Sequence, residues 1–512
     1  MIAKPFLSRV SSAAIAIAII AGSAPALAST APAAAPAVNG WGVKLTDVTP
    51  DPSIKYGMLP NGMKYAIMRN ATPKGTASVR LRFEFGSIGE NENERGLAHF
   101  IEHMAFNGTT HVPEGDMVKI LERQGLQFGP DTNAETGFDS TTYMLDLPKA
   151  DDEHIDTALF LFRETASEVK FDPAAVDRER GVILGEERAR DNFQYHQLVD
   201  LLGFDAPDTP YAKRLPIGVD EVLKTASADT IRGLYHRYYR PENATLVFVG
   251  DADPAVVEAK IKKAFGDWQP TGSAGAPLPR GKVDLARPAS FDTFIDPAVP
   301  TTVNYSIARS WDDPKDTLAD RHDKIVEALA TAMFNRRLDK VINQPGSTLL
   351  GGAMDTDEER DAALTTGITI AAKDGAWKDA LNTAEQEVRR AVEHGFTASE
   401  LKTEVTNMSG GLQAAAAQED TRTNKSLVNA ILSVVGRHKF VTTPKFRAAD
   451  FDSVAKTVTL AEVNAKFREL WNGSAPLVHV SAKENLAQDE IAAAFNASHA
   501  VAVAAPKESA AT

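Results

Sequence analysis

His99, Glu102 and His103 stand in the order His-Phe-Ile-Glu-His within "RGLAHFIEHMAFNGTT". Histidines four residues apart on a helix lie one turn apart on the same face, so both imidazoles can reach one ion. Glu102, immediately before His103, is turned about 100° away from it. That offset lets its carboxylate approach a water on the metal without itself being a ligand. Zinc held by three protein donors keeps one position open and brings the pKa of water there toward ~7. A glutamate beside that water can take its proton and later hand it to a leaving amine. The pattern points to metal-assisted hydrolysis and asks for a third ligand, preferably a carboxylate.

The stretch "DRERGVILGEERARDN" supplies the candidates. Glu179 and Glu186 are seven apart and share a helix face, whereas Glu187 faces elsewhere. On residue pattern alone either carboxylate can serve, and charge-rich stretches of this kind also form ordinary solvated helices. His111, His154, His236 and His479 lack a partner at ligand spacing and read as structural or exposed.

The elements that must position these residues are strands mixed with long helices. An Asn-Gly turn inside "KYGMLPNGMKYAIMRN" predicts a hairpin, and "ASVRLRFEFGS" alternates with the period of a strand. Helical spacing covers about 96–107, 114–124, 151–169 and 173–192. A Pro/Gly-rich break at 269–282 divides the chain into stretches of similar length. Each closes on a helix, a short break and a Val-rich strand, "ATLVFVGDAD" in the first and "APLVHVSAKE" in the second. A repeat this long implies a duplicated domain rather than a solenoid. The predicted class is α+β: two duplicated domains, 41–268 and 283–490, each a largely antiparallel sheet packed with helices.

At the start, Lys4 and Arg9 precede an apolar stretch and "SAPALAST", which reads as a cleavable secretory signal peptide over 1–28. An Ala/Pro linker follows at 29–40, and a disordered tail is expected over 491–512. The chain contains no cysteine, so it has no disulfides, and export to the periplasm or beyond is compatible with that. No later segment is long and apolar enough to span a bilayer, so stable membrane insertion is not expected. A formal charge of −14 argues against nucleic acid or an anionic membrane as the main partner.

Four stretches in order, "GLAHFIEHMAFNGT", "TNAETGFDSTTYMLDLP", "DRERGVILGEE" and "YAKRLPIGVDEV", resemble the pitrilysin-like (M16, inverzincin) zinc metallopeptidases. That family includes the mitochondrial processing peptidase and insulin-degrading enzyme. The resemblance implies one Zn2+ per chain bound by His99 and His103, with Glu102 as general base. The family's ligand follows a short apolar run and has a second carboxylate seven residues earlier. This assigns the third ligand to Glu186 in "VILGE" and an orienting role to Glu179. It also implies that the strand around Asn133 and Ala134 binds extended peptide through its backbone.

In the second domain, which lacks the zinc motif, "FNRRLDKVINQPGSTLLGG" resembles the family's arginine-bearing stretch. Arg336 and Arg337 are the residues expected there to stabilise the oxyanion of the cleaved carbonyl. Asn343 and Gln344 stand where the accompanying tyrosine is expected. An unstabilised oxyanion costs about 10² to 10³ in rate. The chain is therefore expected to hydrolyse peptides or small unfolded proteins with help from a homodimer partner, an M16-like heterodimer partner or a missing second half. The alternative is a non-catalytic subunit or a zinc-containing peptide-binding protein.

Overall fold

The computed structural model describes residue 41 and residues 46–127, 129–311, 315–359, 362–437 and 439–507. The expected leader and the 29–40 linker lie outside the described residues.

The first sheet contains β1 (Ile54–Met58), β2 (Lys64–Arg69), β3 (Ala77–Phe83), β4 (Thr132–Thr136), β5 (Thr141–Leu147) and β6 (Ala244–Gly250). Their spatial order is β1-β2-β6-β3-β5-β4. The predicted hairpin joins β1 to β2, with Gly62 at φ +94° in the turn and Ile54 opposite Met68. The second sheet contains β7 (Ser290–Ile295), β8 (Thr302–Ser310), β9 (Leu349–Glu359), β10 (Ala363–Ala372) and β11 (Leu477–Ala482), in the order β7-β11-β8-β10-β9.

The duplication is visible in the pairing. β6 lies parallel to β2 and antiparallel to β3, and β11 lies parallel to β7 and antiparallel to β8. All other pairs are antiparallel. Removing β1 makes the two strand orders identical, and both sheets end on an open edge, β4 in one and β9 in the other.

Period-two alternation sends residues to opposite sheet faces. In the first sheet Tyr65, Ile67, Leu81, Leu246 and Phe248 face the helices of their own half, including Leu97–Met104 and Asp152–Ser167. Ala66, Met68, Val247 and Val249 face the other way. That second face is covered by the helix Asn424–Leu432 from the other half, through Leu427, Val428, Ile431 and Leu432. In return, the helix Phe193–Asp205 crosses to the second sheet, where Asp200 meets His479 at 2.8 Å and Gln197 donates to Ser481 at 2.8 Å. The halves thus exchange one helix each, which a division at 269–282 does not foresee.

The 269–282 stretch contains no helix or strand but is held down. Tyr238 donates to the Ala276 carbonyl at 3.2 Å, and Leu278 packs against the first core. The tail expected from 491 is corrected by the structure. Gln488–His499 is a helix that buries Ile491 and Phe495, spaced four apart as one helix face requires. Beyond it the carbonyls of Val501, Val503 and Ala504 accept from Arg389, His394 and Arg390. Among the described residues no helix is long and apolar enough to cross a membrane.

Candidate metal centre

The motif occupies a helix of eight residues, Leu97–Met104, whose Leu97, Ala98, Phe100, Ile101 and Met104 are buried in the first core. So short a helix is marginal alone, and packing holds it. Its entry is held by the buried Glu90, whose carboxylate accepts from Gly96 N at 3.0 Å and Ala98 N at 2.7 Å. Its oxygens satisfy N–H groups that have no acceptor within the helix, while burial pushes the Glu90 carboxyl up to about 8. Gly96 precedes the helix at φ +98°, a conformation suited to glycine. The second helix, Pro173–Arg190, begins with Asp172 capping Ala174 N and Ala175 N and with Pro at the first position.

These two helices bring His99, His103 and Glu186 together, with one donor atom from each inside a 4.8 Å span. The two Nε2 atoms are 3.2 Å apart, and Glu186 Oε2 lies 3.5 Å from His103 Nε2 and 3.7 Å from His99 Nε2. A tetrahedral zinc with bonds of about 2.0–2.2 Å separates its donors by roughly 3.3–3.6 Å. The triangle is close to that size, so these residues fit a zinc ion.

The two candidate glutamates lie on different sides of the His103 ring. Glu179 Oε1 accepts from His103 Nδ1 at 2.6 Å, the side of the ring away from the triangle, while Asn107 donates to its other oxygen at 2.8 Å. These bonds hold the ring with its Nε2 side turned to the triangle. Asn107, Thr136, Glu90 and Arg190 were not singled out in the sequence. Asn107 had a signal, standing four residues after His103.

Burial pushes the His99 pKa down to about 3, and the positive charge on His103 adds to that. Burial also opposes a charged His103, yet its hydrogen bonds to Glu179 and Glu186 outweigh it and hold the pKa up at about 10. Glu186 is held down at about 2 chiefly by its bond to His103. Glu102 is buried, which raises its carboxyl above the usual range, against the pull of His103 and a 2.7 Å hydrogen bond from Thr136.

Thr136 ends β4, so the edge strand and Glu102 meet directly. Among the described residues β4 pairs only with β5, Asn133 opposite Met144 and Ala134 opposite Tyr143. The Ala134 N–H donates to the Asn133 side chain at 2.9 Å rather than to a neighbouring strand. That amide faces the open edge, where an added strand would pair.

Arg336 and Arg337 both have acidic partners within the second domain. Arg337 is buried, and its guanidinium bonds both oxygens of Glu400, at 3.0 and 2.8 Å, as well as the Gly395 carbonyl. Arg336 pairs with Glu404. For the buried Arg337 an unpaired guanidinium would be far costlier than a paired one, whereas Arg336 is partly exposed. In the "YAKRLPIG" loop Arg214 donates to the Glu90 carbonyl at 3.2 Å, Tyr211 is buried against Phe138, and Gly218 abuts Gly96.

Two family models match the chain. One, described as Insulinase (Peptidase family M16), covers residues 65–206, and the other, Peptidase M16 inactive domain, covers residues 225–408. The chain belongs to the M16 peptidase family. Among curated M16 relatives, the probable zinc protease PqqL of Haemophilus influenzae is 31% identical over 291 residues, covering 56% of this chain and 31% of that protein. The Escherichia coli protein of the same name is 30% identical over 388 residues, covering 75% of this chain and 41% of that protein. This chain thus spans well under half of either relative. The crystal structure of the first half of the periplasmic protease PqqL from Escherichia coli has a TM-score of 0.83 at 25% identity, covering 90% of this chain and 100% of that one. The whole PqqL structure gives a TM-score of 0.84 at 24% identity, covering 91% of this chain and 52% of that one.

Proposed function

We propose that this M16 chain is a zinc-dependent endopeptidase acting on peptides or small unfolded proteins. The observation that carries this reading is the donor triangle of His99, His103 and Glu186 with Glu102 bonded to the end of the edge strand beside it. When bound, one zinc ion would polarise the scissile carbonyl and make water acidic enough to deprotonate near neutral pH. His99, His103 and Glu186 would hold it, with Glu179 fixing the His103 ring. Glu102 would take a proton from the attacking water and pass it to the leaving nitrogen, a role its raised pKa suits. Asn133 and Ala134 would align substrate by strand addition, reading main chain more than side chains. The signal-peptide pattern in residues 1–28 and the likeness to the periplasmic protease PqqL support export.

A second reading is a half-site that turns over only with another M16 half or subunit. The burial of Arg337 against Glu400 favours it, since the expected oxyanion arginine is committed elsewhere. Cleavage of quenched fluorescent peptides by wild type and Glu102→Gln, with the zinc content of both measured, separates these cases. The expected result is equal zinc in both and a fall in turnover of about 10² to 10⁴ in the variant. Equal turnover would sink the mechanism. Zinc bound without turnover in the wild type, restored by a second half, selects the half-site.

A further inference from the structure

Arg190 lies one turn beyond Glu186 on the same helix and is ion-paired with it. Glu-Arg pairs at that spacing are common on helix surfaces, where they do little. This one differs in how the carboxylate is divided. Glu186 turns Oε2 toward the two Nε2 atoms and gives Oε1 to Arg190. The arrangement parallels His103, whose Nε2 faces the triangle while Nδ1 is held by Glu179. The buried His99 Nδ1 has no hydrogen-bond partner among the described residues, so two of the three donors carry an outer anchor.

Charge supports the same role. Glu102, Glu179 and Glu186 place three carboxylates around the two histidines, and the electrostatic influence of Arg190 reaches both Glu186 and His99. With a divalent ion present, one guanidinium brings this group of charges to neutrality. Without it, Glu186 is free to rotate or to offer both oxygens to the ion.

We propose that Arg190 is a positioning residue of the metal centre, holding Oε1 of Glu186 so that only Oε2 is presented to the ion. The proposal rests on His99, His103 and Glu186 being the zinc ligands. Its neighbour Arg188, also in the last turn of the helix, provides the contrast: both complement the helix dipole, but Arg190 is the one bonded to the ligand.

The test is zinc affinity of the full chain, by competition with a chromophoric chelator, for wild type, Arg190→Gln, Arg190→Lys and Glu186→Gln. Visible spectra of the cobalt-substituted forms are recorded alongside. Loss of an outer-shell partner predicts zinc binding about 10- to 100-fold weaker in Arg190→Gln. The lysine variant, which keeps the charge without the forked donor, should recover part of it, and the cobalt spectrum of Arg190→Gln should shift. Zinc affinity within about twofold of wild type together with an unchanged cobalt spectrum overturns the proposal, because outer-shell partners change affinity by much more. A thermal-stability loss with an unchanged cobalt spectrum would also overturn it, since that marks a merely structural pair. If Glu186→Gln binds zinc like wild type, the ligand assignment itself fails, and that outcome is separate from a failure at Arg190 alone.

Discussion

Gly218→Ala tests whether the loop far along the chain from the histidine motif holds the motif helix in place. Gly218 has φ +83°, where an alanine costs roughly 1–2 kcal/mol. An added Cβ would lie 2.4 Å from Gly96 Cα, 2.7 Å from the Arg95 carbonyl oxygen and 2.9 Å from Gly96 N. All three are backbone atoms, which cannot rotate away as a side chain can, so an overpacking cost of about 1–3 kcal/mol is added. The expected destabilisation is therefore about 2–5 kcal/mol by these two contributions. Part of the shift must pass into Gly96 and the helix it opens, so zinc binding should weaken as well. Gly115→Ala is the control: Gly115 also precedes a helix with φ +78°, but nothing lies within 4 Å of its added Cβ. It should show the backbone cost alone and leave zinc binding unchanged. The assay is urea unfolding of both variants with and without zinc, plus chelator competition. If Gly218→Ala loses no more stability than Gly115→Ala and binds zinc like wild type, the close approach of these glycines is not what fixes the helix.

Ile431→Ala on the exchanged helix, where Ile431 is fully buried, should cost about 2–4 kcal/mol in chemical denaturation. For the same reason a fragment ending at residue 268 should expose Met68, Val247 and Val249 and bind a hydrophobic dye. A monomeric, dye-silent fragment would show that the exchange is dispensable. Zinc uptake should release protons. His103 in the metal-free protein stays protonated up to about pH 10, and the ion must displace that proton, so below that pH affinity rises about tenfold per pH unit. Calorimetry in buffers of different ionisation heat measures this, and a proton count near zero at pH 8 would contradict the Glu179–His103–Glu186 arrangement. The same raised pKa favours folding of the metal-free form below the ordinary histidine value and loses that contribution as pH rises toward 10.

Much of the metal centre was legible because its logic is local. Four-residue spacing puts His99 and His103 on one helix face, and seven-residue spacing does the same for Glu179 and Glu186. What spacing left open was which glutamate reaches the ion, and the resemblance to M16 peptidases chose Glu186. In the structure Glu179 sits at the Nδ1 side of His103 and Glu186 at the Nε2 side, an arrangement compatible with the proposed assignment. Arg336 and Arg337 show the converse. Motif resemblance aligned them with substrate-facing residues, but nothing near them in sequence announces Glu400 and Glu404, which claim their guanidinium groups.

Residue spacing alone was enough for the first hairpin, the four helices from 96 to 192, the two closing strands and the duplication, because periodicity acts over a few residues. The remaining features arise from contacts between distant parts of the chain. Tertiary packing exchanged one helix between the halves, turned the supposed tail into a packed helix and strap, and pressed Gly218 against Gly96. It also divided the two oxygens of Glu186 between histidines and Arg190. Each of these depends on which distant surface buries apolar area or satisfies a charge, and residue spacing along the chain does not specify that choice.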